Sequence, residues 1–169
     1  MSWLDRFESF LLKRRSALSL ALDANGAREG WLQVEAFREF RPVFPSFQIN
    51  TLKLGKGKTA DFSCGDRTPL VAELKIIGSK YLAKCLTGGA LRHLRLVEGE
   101  VIGRQHRKCV QGKWGLIPDY FRLRDCASKE VACEAERILI LVADVAGRDD
   151  TRLADVLRRI EFEGERREL

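Results

Sequence analysis

Glu73 and Lys75 interrupt a run that is otherwise apolar, Pro69-Leu70-Val71-Ala72-Glu73-Leu74-Lys75-Ile76-Ile77. The run is β-compatible, and side chains two apart on a strand share one face. Glu73 and Lys75 therefore point the same way as Val71 and Ile77, while Leu70, Ala72, Leu74 and Ile76 point the other way. A carboxylate and an ammonium are costly to bury unless they are paired or bound to something. Twelve residues before Glu73 comes Asp61, in a second short strand-like run, with the turn-like Gly65-Asp66-Arg67-Thr68 between them. A three-residue loop, Gly65 to Arg67, sets Asp61 opposite Val71 and on the face of Glu73. A regular two- or four-residue loop turns it away unless a bulge repairs the face, because a one-residue slip inverts every side chain. The competing reading is a solvated hairpin with a cross-strand ion pair.

The Asp…Glu-x-Lys arrangement on a hairpin resembles the PD-(D/E)xK nuclease superfamily, which has the restriction-endonuclease-like fold. The resemblance implies that Asp61 and Glu73, with the Leu74 carbonyl, hold Mg²⁺ or Mn²⁺, and that Lys75 positions the attacking water. The residue types suit that chemistry. A hard cation prefers oxygen ligands and keeps several waters, and a cation beside the water stabilises charge developing on the phosphate. In many members a Glu on the helix before the hairpin adds a carboxylate. Here Glu35, flanked by bulky apolar residues, is the first choice, Glu29 the second, and Glu39 lies on the same helix. The motif-level resemblance spans residues 28–90, and element order alone extends it further. It implies a metal-dependent endonuclease with DNA as its partner. The alternative is a non-catalytic nucleic-acid-binding or regulatory module on the same fold. A third reading is a protein-interaction domain in which Glu73 and Lys75 form a structural ion pair.

These residues need elements to position them. Residues 2–22 read as an amphipathic helix with Ser2 as N-cap, and Asn25-Gly26 as its stop. A second helix runs from Arg28 to Phe40, ended by Pro42. Residues 47–54 read as a strand that joins the Asp61 and Glu73 strands in a three-strand meander. Ser79 can cap a helix from Lys80. Ile117-Pro118 opens a helix through Arg124, and residues 128–136 suggest another. The unbroken apolar run at 137–145 predicts a central strand covered on both faces. Asp149 or Asp150 can cap a last helix through Ile160. This order gives a single α/β (α+β) domain over residues 1–169, a mixed sheet flanked by helices with an N-terminal helical segment at 1–41.

The chain of 169 residues is 45% hydrophobic, enough for one buried core. Its formal net charge of +6 favours an anionic partner. Lys56 and Lys58 in a glycine-containing turn, Lys80 and Lys84 on the helix after the hairpin, and the basic stretch with Arg92, Arg104, Arg107 and Lys108 are candidate nucleic-acid contacts. Solvated surface charge explains the same residues equally well. The turn at 53–58 lacks P-loop spacing. The spacing of His106, Cys109, Cys126 and Cys133 fits no common zinc knuckle, and the five cysteines form no Cys-x-x-Cys pair. Widely spaced thiols, no signal-peptide pattern and no run of membrane-spanning length lead us to expect a soluble cytoplasmic protein without a membrane partner. With no recognition module evident, a homodimer or a partner protein is expected to supply specificity.

Overall fold

The computed structural model describes residues 1–23, 28–55, 58–77, 116–124 and 134–143. The helix expected from Lys80 and the last helix expected through Ile160, together with Lys56, Lys80, Lys84, Arg92, Arg104, Arg107 and Lys108, lie outside the described residues.

Helices α1 (Trp3–Lys13), α2 (Arg15–Asp23) and α3 (Arg28–Phe40) come first. Helix α1 begins at a reciprocal cap. The Asp5 amide donates to the Ser2 hydroxyl at 3.1 Å, and the Ser2 amide donates to the Asp5 carboxylate at 2.9 Å. The single helix expected over 2–22 is in fact two, broken at Arg14, whose amide bonds back to Leu11 at 3.0 Å. Arg14 faces α3, with its guanidinium over the Phe10 ring and its nitrogens against Glu35 and Glu39. The bounds expected for α3 hold: an apolar stripe of Leu32, Ala36 and Phe40 drives it inward, and Pro42 follows its end.

The main sheet has the order β1 (Gln48–Ile49), β4 (Phe62–Cys64), β5 (Leu70–Ile77), β6 (Glu136–Ala143). The pairs β1–β4 and β4–β5 are antiparallel, while β5–β6 is parallel. The sheet is therefore mixed, and the domain is mixed α/β. The strand expected over 47–54 is shorter than that. Asn50 takes φ of 54° and turns the chain out of the sheet after Ile49. Asn tolerates this left-handed conformation better than most residues. The chain then makes a separate hairpin, β2 (Lys53–Gly55) with β3 (Lys58–Thr59), before it returns as β4. The meander survives with that hairpin inserted. Glu136 begins β6, so the helix expected over 128–136 does not reach that far.

Alternation in β5 divides the interior. Leu70, Ala72, Leu74 and Ile76 join Phe62, Cys64, Ile138 and Ile140 under α1 and α3, around Trp3, Phe7, Phe10, Phe40 and Phe47. Val71 faces the other way, into a smaller cluster with Ala60 and Leu123 against which Leu139 packs. Leu123 belongs to α4 (Leu116–Arg124), which packs on β5 and β6. Strand β6 thus has packing on both faces, as its apolar run predicts, and stands last in the described order. Trp3 fixes α1 to the sheet: its backbone N–H donates to the Glu136 carboxylate at 2.9 Å and its indole N–H to the Thr68 carbonyl at 2.6 Å.

Candidate active site

The loop of the central hairpin has five residues, Gly65 to Pro69, rather than three. The pairs Phe62↔Ala72, Ser63↔Val71 and Cys64↔Leu70 set the register. One position further, that register brings Asp61 beside Glu73. Five and three are both odd, so the face is the one the motif requires, and the partner changes from Val71 to Glu73 itself. Asp61 is held on both oxygens: Gln33 Nε2 donates to Oδ1 at 2.8 Å and the Leu74 amide to Oδ2 at 2.6 Å.

Strand β4 begins only at Phe62, paired with Ala72, while β5 continues to Ile77. The β5 amides beyond β4 must find other acceptors or lose the worth of a hydrogen bond. Side chains supply them. Asp61 takes the Leu74 amide, and Glu29 of α3 takes the Ile76 amide at 3.2 Å. Two carboxylates thus replace the missing strand at the open edge of β5, next to the Leu74 carbonyl.

Glu73 is 4% exposed, and Asp61 shares a hydrogen bond with it. Burial, followed by the charge of Asp61 and that hydrogen bond, pushes the Glu73 carboxyl up to about 8, while Arg122 and Lys75 act in the opposite direction. Lys75 does not pair with Glu73 in the way the ion-pair reading supposes. Its ammonium lies 3.0 Å from Asp119 Oδ2 and 3.1 Å from the Leu74 carbonyl, with Glu29 at 3.7 Å.

Asp119 was not singled out by sequence reasoning. It is 1% exposed and sits between two cations, Lys75 on Oδ2 and Arg122 on Oδ1. The available signal was an acidic residue inside the apolar run Ile117 to Phe121, with an arginine three positions on. Burial also lowers the affinity of the Arg122 guanidinium for its proton, which Glu73 and Asp61 partly restore.

Glu35, the first choice for a further carboxylate, is turned away. It pairs with Arg14 at 3.4 Å and Arg38 at 3.3 Å, and Glu39 pairs with Arg14 at 3.0 Å. The reason is helical phase. Glu29 and Gln33, four apart, share the face toward Asp61 and β5, while Glu35 and Glu39, also four apart, share the face toward Arg14. The structure therefore brings Asp61, Glu73, Leu74, Lys75 and Glu29 together, and adds Gln33, Asp119 and Arg122. Lys58 lies in β3, partly exposed.

Among the described residues no three of His, Cys, Asp and Glu form a ready metal cage. The donors at hand are two carboxylates and a backbone carbonyl, which suits Mg²⁺. That ion is commonly held by one or two carboxylates together with waters and substrate phosphate. The charge balance points the same way. Asp61, Glu73, Glu29 and Asp119 stand against Lys75 and Arg122, a surplus of two negative charges among the described groups when all are ionised. A proton on Glu73 removes one of these charges, and a divalent cation would balance both.

No family model, curated protein or solved structure matches this chain. Among the described residues no helix is long and apolar enough to cross a membrane.

Proposed function

We propose that this chain is a metal-dependent nuclease that hydrolyses phosphodiester bonds in DNA, built on a restriction-endonuclease-like core. The observation that carries the reading is the buried Glu73 carboxyl against Asp61, with the Lys75 ammonium two residues on along β5. A carboxylate pair so placed opposes its own ionisation, and a bound Mg²⁺ or Mn²⁺ supplies the compensating charge. Asp61, Glu73 and the Leu74 carbonyl would hold that ion, which polarises the phosphate and lowers the pKa of a bound water.

The chain's own residues do the rest. Lys75 has three N–H donors. One is given to the Leu74 carbonyl, Asp119 meets the ammonium as an ion pair, and Glu29 at 3.7 Å lies beyond hydrogen-bond reach, so an N–H is left to orient a water. The same ammonium, beside Asp119, would stabilise the extra negative charge on the phosphate as the water attacks. Glu29 takes the part expected of Glu35, as the α3 carboxylate nearest the site. DNA as substrate rests on the net charge of +6 and on the lysine- and arginine-rich segments, which suit phosphate contacts.

One feature favours the non-catalytic module instead. Lys75 is tightly partnered by Asp119, as a purely structural lysine would be. Cleavage of supercoiled, linear and single-stranded DNA in Mg²⁺ and in Mn²⁺ separates the two, with Glu73→Ala and Asp61→Asn run alongside. The nuclease reading expects metal-dependent cutting that disappears in both variants while they stay folded. Wild type that binds DNA without cutting it, and variants that bind it equally well, would leave the module.

A further inference from the structure

Gln33 and Asn50 form a polar relay that ends on Asp61. Asn50 Nδ2 donates to Gln33 Oε1 at 2.9 Å, and Gln33 Nε2 donates to Asp61 Oδ1 at 2.8 Å. The first bond decides the second. With its oxygen occupied by a donor, the Gln33 amide must present its NH₂ to Asp61. Asn50 is itself held over the site, because its backbone N–H donates to the Asp61 carbonyl at 3.3 Å. It is the one non-glycine residue with positive φ among the described residues, and such conformations concentrate where a site over-determines them. Gln33 is a buried polar residue beside the apolar stripe of Leu32, Ala36 and Phe40. Burying an amide in an apolar helix face is costly unless it is fully bonded.

We infer that Gln33, oriented by Asn50, is a positioning residue that fixes the Asp61 carboxylate and limits the site to a single divalent cation. This rests on the metal site proposed above. The Leu74 amide occupies one lone pair of Oδ2, and the Gln33 N–H occupies one of Oδ1. A second cation would need a carboxylate where Gln33 presents hydrogens, and a cation does not share an oxygen lone pair with a donor. Each Asp61 oxygen keeps one further lone pair, and the hydrogen bond that Asp61 shares with Glu73 marks where an ion would bridge the two carboxylates. Loss of such a partner behind a metal ligand typically weakens metal binding by about 10- to 100-fold.

The test is a Mn²⁺ titration of the full chain followed by electron paramagnetic resonance, with thermal unfolding measured on the same samples. Asn50→Gly removes the Nδ2 donor yet accepts the positive φ, and Gln33→Leu removes the amide at similar volume. The expected result is one Mn²⁺ per wild-type chain, bound about 10-fold or more weakly in each variant while the unfolding midpoint of Asn50→Gly stays within a few degrees. Two ions per wild-type chain would overturn the inference and leave the metal site standing. So would unchanged affinity in both variants, or a loss of affinity that only tracks a loss of fold. A wild type that binds no Mn²⁺ at all overturns the metal site and the inference together.

Discussion

The Glu73 carboxyl, 4% exposed and facing Asp61, loses its proton only at about 8, against an ordinary value of 4.5. A raised carboxyl pKa means the folded chain holds a proton that the unfolded chain has released. The stability from this group is therefore complete below about 4.5 and is lost as pH rises through about 8, by an amount on the order of a few kcal/mol. Urea unfolding of wild type and Glu73→Gln at pH 5 and at pH 8.5, without added metal, checks this. The variant should show a flatter pH profile and gain stability relative to wild type at the higher pH. Asp119 makes the opposite case. Its removal leaves Lys75 and Arg122 facing each other's surroundings without a shared anion, so Asp119→Asn should cost on the order of 3 kcal/mol in the same assay. The residue scale is also where the sequence was least legible. Glu73, Lys75 and Asp61 announce themselves as charges in or beside apolar runs. Asp119 lies 44 positions from Lys75, and only the fold joins them.

At the scale of elements, the site depends on β4 being short. Because β4 begins only at Phe62, the outer amides of β5 turn to Asp61 and Glu29, and α3 lies within reach of the strand edge. The bounds of α3 and β5 were legible, since an apolar stripe before Pro42 and an apolar run between turns are local signals. The break at Arg14 was not, because no glycine or proline marks it; Arg14 answers to Glu35 and Glu39 on a neighbouring helix. The choice of Glu29 over Glu35 was hidden for a similar reason: both have helical neighbours of the right kind, and only the phase of α3 against the sheet separates them. Local signals do carry energy. The Ser2 cap was visible as a serine ahead of an apolar helix, and Ser2→Ala should destabilise the chain by about 1 kcal/mol in urea unfolding. Trp3 is buried, stacks near Phe47 and bonds to Thr68 and Glu136, so Trp3→Ala should cost about 3–5 kcal/mol or prevent folding.

On the scale of the whole molecule, one sheet separates two kinds of interior. An aromatic core under α1 and α3 supplies most of the apolar burial. The opposite face, under α4, holds a small apolar cluster beside Glu73, Lys75 and Asp119. The buried charges are thereby held by rigid strands and a helix rather than by loops, which suits a site that must keep carboxylates and an ammonium at fixed separation. The mixed sheet and its flanking helices were legible from element order, whereas the inserted hairpin of β2 and β3 was not, because its entry depends on the positive φ of Asn50. In the proposed function, cleavage turns on Lys75 beside the carboxylate pair. The most direct measurement is the rate of DNA cleavage in Mg²⁺ by wild type and by Lys75→Ala, with Mn²⁺ affinity determined for both. Metal binding is expected in both proteins, with a cleavage rate about 10²- to 10⁴-fold lower in the variant. Equal rates in the two proteins, or a wild type that binds the metal and DNA and never cuts, would contradict it.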